Sequence, residues 1–259
     1  MPRFDQHFLV KTDIVQEIIK AGNFTKDDFV LEIGPGKGIL TEKIIPIVKK
    51  IFAVEIDTYL SSFLKQKFLA SSNLEIFTLD FLNFDLNSIP LPEGKKLKII
   101  GNIPYSITTP ILEKIFCYPR WDVAIIMMQK EVANRILSSC GKKSFSRLTL
   151  WTNFYSIPHP IIEVKKDCFR PVPKVDSFVV KFFPNYKYSN FKLKEKMFRV
   201  IELSFAQRRK TILNSLSSGL KMDKKILQDY LKKAGISPGC RAENVDLEGF
   251  MKITEILSK

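Results

Sequence analysis

Residues 29–38 read Phe29-Val30-Leu31-Glu32-Ile33-Gly34-Pro35-Gly36-Lys37-Gly38, a short apolar strand followed by a glycine-rich turn. The pattern after the turn predicts a helix from about Ile39 to Val48. Because glycines let a ligand approach the free N–H groups of a helix N-terminus, this stretch predicts an α/β sheet with a nucleotide-binding corner. A dinucleotide fingerprint requires Gly or Ala where the chain has Ile39, and the G-K-S/T end of a P-loop is absent.

Acidic residues follow the next two predicted strands. Glu55 comes after the apolar run 51–54 and 21 residues after Gly34, the separation at which a carboxylate grips a ribose diol. Asp80 comes after the run 74–79 and is followed by Phe81. Asp80 by itself is also a plausible helix cap, but its place in a series of similar strand ends favours a ligand site.

The fourth predicted strand, 97–100, leads into Gly101-Asn102-Ile103-Pro104-Tyr105. Pro104 fixes its own φ and favours an extended residue before it. We expect the Asn102 side-chain oxygen and the Pro104 carbonyl to accept from one exocyclic amine while the Tyr105 ring lies against a base. A capped turn is the alternative for this stretch taken alone.

Downstream, a proline-containing basic loop separates two predicted strands, 155–164 and 177–183. The loop carries Phe169, followed by the basic residues Arg170 and Lys174. Phe169 is either a core anchor or, presented on a loop stiffened by prolines, the second wall of a base slot. Beyond 185 the pattern is helical. One helix is predicted from Met197 to Leu216 with the basic cluster Arg208, Arg209 and Lys210 within it. We therefore predict two domains, residues 1–185 and 186–259.

Composition favours a polyanionic partner. The chain has 41 Lys+Arg against 27 Asp+Glu, a formal net charge of +14, and residues 186–259 carry 16 basic and 8 acidic side chains. The cysteines show no C-x-x-C spacing and the two histidines are far apart, so no metal site is predicted. No apolar run is long enough to cross a membrane and no signal-peptide pattern is present, so we expect a cytoplasmic protein.

The ordered set of motifs resembles the KsgA-type small-subunit ribosomal RNA adenine N6,N6-dimethyltransferases, and the resemblance extends through nearly the whole chain. Its residues are Arg3-Phe4-x-Gln6-His7-Phe8-Leu9, Glu32-Ile33-Gly34-Pro35-Gly36, Glu55-x-Asp57, Gly101 to Tyr105, Gln129-Lys130-Glu131-Val132, Phe169 to Ser177, Gln207-Arg208-Arg209-Lys210-Thr211 and Arg241-Ala242-Glu243-Asn244. Two positions depart from the family pattern, because Asp5 stands where Gly is common and His7 where Asn is frequent.

The resemblance implies a class I, Rossmann-like S-adenosylmethionine-dependent methyltransferase with a mixed, mostly parallel sheet and a small, all-helical C-terminal domain. It implies methyl transfer to N6 of two adjacent adenosines, each dimethylated, in a loop near the 3′ end of small-subunit ribosomal RNA. The expected partner is that RNA or the immature small subunit, and the expected state is a monomer. The implied cofactor residues are His7, Leu9, Gly34, Gly36, Glu55, Ile56, Asp80, Phe81 and Asn102.

The resemblance further implies that the flipped adenine is held by Asn102, Pro104, Tyr105 and Phe169. RNA contacts are expected at Arg170, Lys174, Arg208, Arg209 and Lys210. Three alternatives stay open: an Erm-type methyltransferase of large-subunit RNA, a non-catalytic RNA-binding assembly factor, and a dinucleotide oxidoreductase. Ile39 disfavours the oxidoreductase, and the complete set from Asn102 to Tyr105 together with Glu55 disfavours the binding factor.

Overall fold

The computed structural model describes residues 6–258 and divides the chain into two compact units. Unit 1 contains the chain up to Ala133 and Pro158–Pro184, and unit 2 contains Asn134–Ile157 and the chain from Asn185. The departure at Asp5 and the motif residues Arg3 and Phe4 lie outside the described residues.

The strands of unit 1 are β1 (Phe8–Leu9), β2 (Phe29–Ile33), β3 (Lys50–Glu55), β4 (Leu74–Thr78), β5 (Leu97–Asn102), β6 (Trp121–Gln129), β7 (Ser156–Val164, whose first two residues belong to unit 2), β8 (Phe169–Arg170) and β9 (Ser177–Pro184). Seven of them form one sheet in the order β4-β3-β2-β5-β6-β9-β7. The first five strands in this order are parallel to one another, and β9 is antiparallel to β6. The predicted mixed, mostly parallel sheet is confirmed. β1 and β8 form a separate antiparallel pair.

The helices are α1 (Thr12–Gly22), α2 (Ile39–Ile44), α3 (Thr58–Lys67), α4 (Thr108–Cys117), α5 (Lys130–Ile136), α6 (Arg147–Tyr155), α7 (Lys194–Phe205), α8 (Ile212–Leu220), α9 (Lys224–Lys233) and α10 (Leu247–Leu257). Among the described residues, no helix is long and apolar enough to span a membrane.

The chain order of the strands reverses around β2, because β3 pairs with one of its edges and β5 with the other. In open α/β sheets, ligands bind outside the carboxyl ends of the strands at such a switch point. The central strands are apolar on both faces, as expected for a parallel sheet covered on both sides: Val30, Leu31 and Ile99 are fully buried. The fold therefore directs the ends of β2, β3 and β5 toward one crevice.

Unit 2 has its own hydrophobic core, which includes Ile201 of α7, Leu216 of α8, Leu231 of α9 and Phe250 of α10. Leu150 and Phe154 of α6, with Phe145 before them, belong to the same core. A single boundary near 185 therefore does not describe the division in the structure, because residues 134–157 bury their apolar side chains among the C-terminal helices.

Candidate functional site

A cavity of about 700 Å3 lies in unit 1 at the carboxyl ends of the central strands. This volume is within the range of small-molecule and cofactor sites. Every residue predicted to hold the cofactor lines it, and so do three of the four predicted to hold the adenine: His7, Leu9, Gly34, Gly36, Glu55, Ile56, Asp80, Phe81, Asn102, Pro104 and Tyr105.

The glycine turn after β2 depends on backbone conformations that favour glycine. Gly34 and Gly36 have φ values of 64° and 59°, a region where a side chain is strained. The Gly34 N–H donates to the carbonyl of Val54 at 2.9 Å, which fixes the turn to β3. At Gly34 and Gly36 the turn thus presents backbone without a side chain to the cavity.

Glu55 at the end of β3 is hydrogen-bonded to the same turn. Its side chain is only 3% exposed, and Oε2 accepts from the Gly36 N–H at 3.0 Å while Oε1 accepts from the Asp57 N–H at 2.9 Å. Burial raises the pKa of Glu55, and these two backbone hydrogen bonds oppose the increase. The carboxylate is rigidly placed, and each oxygen keeps a second lone pair for a ligand.

Glu32 is a cavity residue to which the sequence analysis assigned no role. It lies within β2, is 1% exposed, and its Oε2 accepts from the Thr41 hydroxyl of α2 at 2.7 Å. Burial raises the pKa of Glu32 to about 7, and the nearby charge of Glu55 acts in the same direction. The sequence does carry a signal for this residue, because Glu32 is the one acidic residue in the otherwise apolar strand 29–33.

Asp80 both caps a helix and lines the cavity. Its Oδ1 accepts from the Leu82 N–H at 2.9 Å and caps a short 3-10 helix, Phe81–Asn83, while the residue also lines the cavity. Phe81 and Ile56 add apolar lining beside the two carboxylates. The cavity thus carries acidic acceptors flanked by apolar surfaces, which suits a nucleoside.

Asn102 ends β5 in a fixed orientation. Its Nδ2 donates to the main-chain carbonyl of His7 at 3.1 Å, so Oδ1 is left as the acceptor end of the amide. Close packing requires glycine at position 101, since a Cβ atom there would lie 2.9 Å from the carbonyl oxygen of Ile33. The strand end can therefore approach β2 closely and place Asn102 at the cavity.

The carbonyl of Pro104 is used differently from the prediction. It accepts from the Ile107 N–H at 3.3 Å and from the Thr108 hydroxyl at 3.4 Å, because Pro104 caps the 3-10 helix Tyr105–Ile107. The presentation of this carbonyl to a base together with Asn102 stays a prediction. Pro104 lines the cavity while its carbonyl belongs to the turn.

Tyr105 is held in place by its hydroxyl, which is hydrogen-bonded to Ser177 Oγ at 2.7 Å, and its ring faces the His7 ring. The two ring centroids are 6.4 Å apart with an interplanar angle of 25°. His7 Nδ1 donates to the carbonyl of Pro171 at 2.9 Å. The aromatic residue of the predicted base clamp is therefore fixed in the cavity.

Phe169 is the predicted site residue that the structure places elsewhere. Its ring is fully buried in the core of unit 1, and its backbone pairs with Leu9 in the β1–β8 ladder. This burial agrees with the alternative of a core anchor, and the role of Phe169 as a wall of the base slot stays a prediction. Its exposed neighbour Arg170 lines the cavity instead, and Lys174 is exposed outside it.

The basic cluster of unit 2, defined as Arg208, Arg209 and Lys210, is fully on the surface. It lies between α7 and α8 rather than within one helix, because α7 ends at Phe205 and α8 begins at Ile212. The Arg208 guanidinium donates to the carbonyl of Lys143 at 3.2 Å. Lys143 and Lys142 are themselves exposed, so positive charge from two separate segments of unit 2 meets at this surface.

Comparison with known proteins agrees with this geometry. Residues 1–259 match the family described as ribosomal RNA adenine dimethylase. The chain is 36% identical over 265 residues to the ribosomal RNA small subunit methyltransferase A of Lachnoclostridium phytofermentans, covering 99% of this chain and 91% of the relative. It is 38% identical over 255 residues to the protein of the same name from Aster yellows witches'-broom phytoplasma, with coverages of 97% and 94%.

Two solved structures are similar over nearly the whole chain. A dimethyladenosine transferase from Plasmodium falciparum has a TM-score of 0.80 and 29% identity, with coverages of 95% and 96%. The 23S ribosomal RNA methyltransferase ErmE has a TM-score of 0.76 and 27% identity, with coverages of 97% and 100%. The family match and the full-length relatives agree, and this chain belongs to the ribosomal RNA adenine dimethylase family.

Proposed function

We propose that this chain transfers methyl groups from S-adenosylmethionine to N6 of adenosines in small-subunit ribosomal RNA, dimethylating two adjacent adenosines. Membership of the family makes it an S-adenosylmethionine-dependent enzyme acting on ribosomal RNA adenines. The choice of the small subunit rests on the names of the relatives with 36% and 38% identity. The observation that carries the proposal is one cavity containing both the Glu55 and Asp80 carboxylates and the Asn102–Tyr105 pair.

The residues present fit the cofactor, which supplies an electrophilic methyl group when bound. Glu55 would accept from the two ribose hydroxyls, because each of its oxygens has one position left after its backbone hydrogen bond. Asp80 would accept from the adenine amine, with Ile56 and Phe81 covering the apolar faces of the ring. His7 and Leu9 would complete the site from the N-terminal side, against the bare backbone at Gly34 and Gly36.

Asn102 would act on the nucleophile. The lone pair of adenine N6 is delocalised into the ring, so N6 attacks poorly unless it becomes tetrahedral. A hydrogen bond from N6–H to Asn102 Oδ1 favours that geometry and stabilises the positive charge that develops on nitrogen. The displaced proton leaves to solvent after the new N–C bond has formed. The fixed amide of Asn102 provides this acceptor without reorganisation.

RNA affinity would come from backbone phosphates. We assign this role to the basic cluster of unit 2, to Arg170, which lines the cavity, and to Lys174, all exposed. Extruding an adenine costs a few kcal/mol and is easiest in a loop, and stacking in the cavity offsets that cost. We propose that the substrate particle is an immature small subunit and that the active enzyme is a monomer. Sedimentation of the enzyme, alone and mixed with small subunits, tests both points.

The decisive assay incubates the protein with methyl-labelled S-adenosylmethionine and small subunits that lack the modification, and then maps the label in the RNA. Label on adenine N6 of small-subunit RNA, lost with Asn102→Ala but kept with Asn87→Ala at an exposed asparagine, is the expected result. Label in large-subunit RNA would instead support the ErmE-like alternative. No transfer to either RNA would refute the proposed activity.

A further inference from the structure

Lys114 of α4 is hydrogen-bonded to the short helix that follows Asp80. Its Nζ donates to the main-chain carbonyl of Leu82 at 2.7 Å and lies over the Phe81 ring, 5.5 Å from the ring centroid. Asp80 and Phe81 both line the cavity, whereas the half-buried Lys114 lies outside its lining. The lysine therefore contacts the wall of the cavity from its outer side.

We propose that Lys114 is a positioning residue for the cofactor, which holds Asp80 and Phe81 in the arrangement that recognises the adenine ring. Lys114 thereby contributes to the preference for an amino group over a carbonyl oxygen at C6 of that ring. This inference rests on the roles proposed for Asp80 and Phe81 and names a residue on which those roles depend. Lys114 acts on the ligand only through these two residues.

The backbone of Leu82 connects the lysine to the carboxylate. The Leu82 N–H donates to Asp80 Oδ1 at 2.9 Å, and the Leu82 carbonyl accepts from Lys114. Because both polar groups of one residue are held, rotation about its backbone is restricted, and the direction of the Asp80 carboxylate is restricted with it. A carboxylate held through one oxygen keeps the other oxygen as an acceptor for a ligand.

The charge of Lys114 strengthens this arrangement. Burial lowers the pKa of Lys114, and the negative charges of Asp85 and Asp80 oppose the decrease. A hydrogen bond from a charged donor is about twice as strong as one between neutral groups, and attraction between the ammonium group and the Phe81 ring adds to it. Lys114→Met keeps most of the apolar stem but removes both interactions.

Binding of two analogues tests the inference without RNA and without turnover. Isothermal titration calorimetry compares S-adenosylhomocysteine with S-inosylhomocysteine, in which a carbonyl oxygen replaces the adenine amine. The Asp80 carboxylate accepts from the amine and repels the oxygen, so we expect the parent to bind the adenine analogue about 10- to 100-fold more tightly. Lys114→Met should reduce this ratio about threefold or more, and Lys114→Arg, which restores a charged donor, should retain most of it.

Lys181→Met is the matched control, because Lys181 of β9 is also half-buried and its Nζ lies 4.8 Å from the centroid of the Phe183 ring. Its ratio should equal that of the parent. Lys114→Gln, which is neutral and shorter, should show the same reduced ratio as Lys114→Met, and thermal unfolding verifies that each variant is folded.

Steady-state kinetics separates positioning from a general loss of structure. With Lys114→Met, the KM for S-adenosylmethionine should rise about fivefold while kcat at saturation changes less than about twofold. A parent-like binding ratio for Lys114→Met would overturn the inference. An equal loss of affinity for both analogues, or a parent that does not discriminate between them, would overturn it as well.

The inference and the proposed activity fail in different ways. A parent that discriminates between the analogues through Lys114 but transfers no methyl group to ribosomal RNA adenine would refute the proposed activity and keep the inference. A parent that methylates small-subunit adenine, together with an unchanged binding ratio for Lys114→Met, would refute the inference and keep the activity.

Discussion

The side-chain amide of Asn102 donates to the main-chain carbonyl of His7 at 3.1 Å, which joins the end of β5 to a segment 95 residues earlier in the chain. This single contact decides which end of the amide is the donor and which is left as the acceptor. The chemistry proposed for the cavity depends on that orientation, because adenine N6 can only donate to the oxygen.

Removing the Asn102 amide is therefore expected to affect the chemical step more than cofactor binding. Asn102→Ala should lower kcat by about 100-fold or more, since one preorganised polar group at a developing charge is worth this much. Single-turnover kinetics with saturating S-adenosylmethionine measures the step, and equilibrium dialysis measures cofactor affinity. A loss of cofactor affinity with kcat unchanged at saturating S-adenosylmethionine would show that Asn102 serves cofactor binding alone.

The buried Glu32 makes stability depend on pH. Its pKa is raised to about 7 by burial, against a usual value near 4.5, so the folded state holds the proton more tightly than the unfolded state. Stability from this group is complete below the lower value and is lost as pH rises through about 7.

Glu32→Gln keeps an acceptor for Thr41 but cannot ionise. Relative to the parent, the unfolding free energy of this variant should rise by about 2.5 kcal/mol from pH 5 to pH 8. Urea unfolding monitored at both pH values measures the gain, and the exposed Glu93→Gln is the control, for which no comparable gain is expected. A parallel response of the Glu32 and Glu93 variants to pH would contradict the assignment.

Phe169 should behave as a core residue. Phe169→Ala is expected to cost about 3 to 5 kcal/mol, the usual result of removing a buried aromatic ring. Phe169→Leu, which keeps an apolar side chain, should cost less and leave kcat/KM close to that of the parent at temperatures where both are folded. Thermal unfolding and methyl-transfer assays check this; a stable Phe169→Leu enzyme with strongly reduced kcat would point to a direct role in base binding.

The basic cluster of unit 2 should govern the salt dependence of RNA binding. Replacing Arg208, Arg209 and Lys210 with alanine is expected to weaken binding to small subunits and to reduce the slope of log K against log salt by about 2 to 3. The matched control replaces three exposed lysines of α9, Lys224, Lys225 and Lys232. Filter binding over a range of KCl measures both sets, and equal slopes for the two variants would argue against a specific docking surface.

Much of the fold and of the cavity could be predicted because the relevant signals are local. The apolar run 29–33 with its glycine turn, and polar residues such as Glu55 and Asn102 at strand ends, follow from strand length, turn chemistry and the meeting of parallel strands at one edge. The roles proposed for these residues stay predictions, but their meeting in one cavity is a fact of the structure.

What the sequence by itself determined, then, is the parallel sheet, the glycine turn and the polar strand ends, since each depends on neighbours within about ten residues. Only the tertiary structure decided that Phe169 is buried, that residues 134–157 pack with the C-terminal helices, and that Glu32 is buried with a raised pKa. Each of these depends on which distant segments cover a side chain. The contact between the His7 and Tyr105 rings was also decided by the tertiary structure, because both side chains are hydrogen-bonded to residues of the loop 171–177.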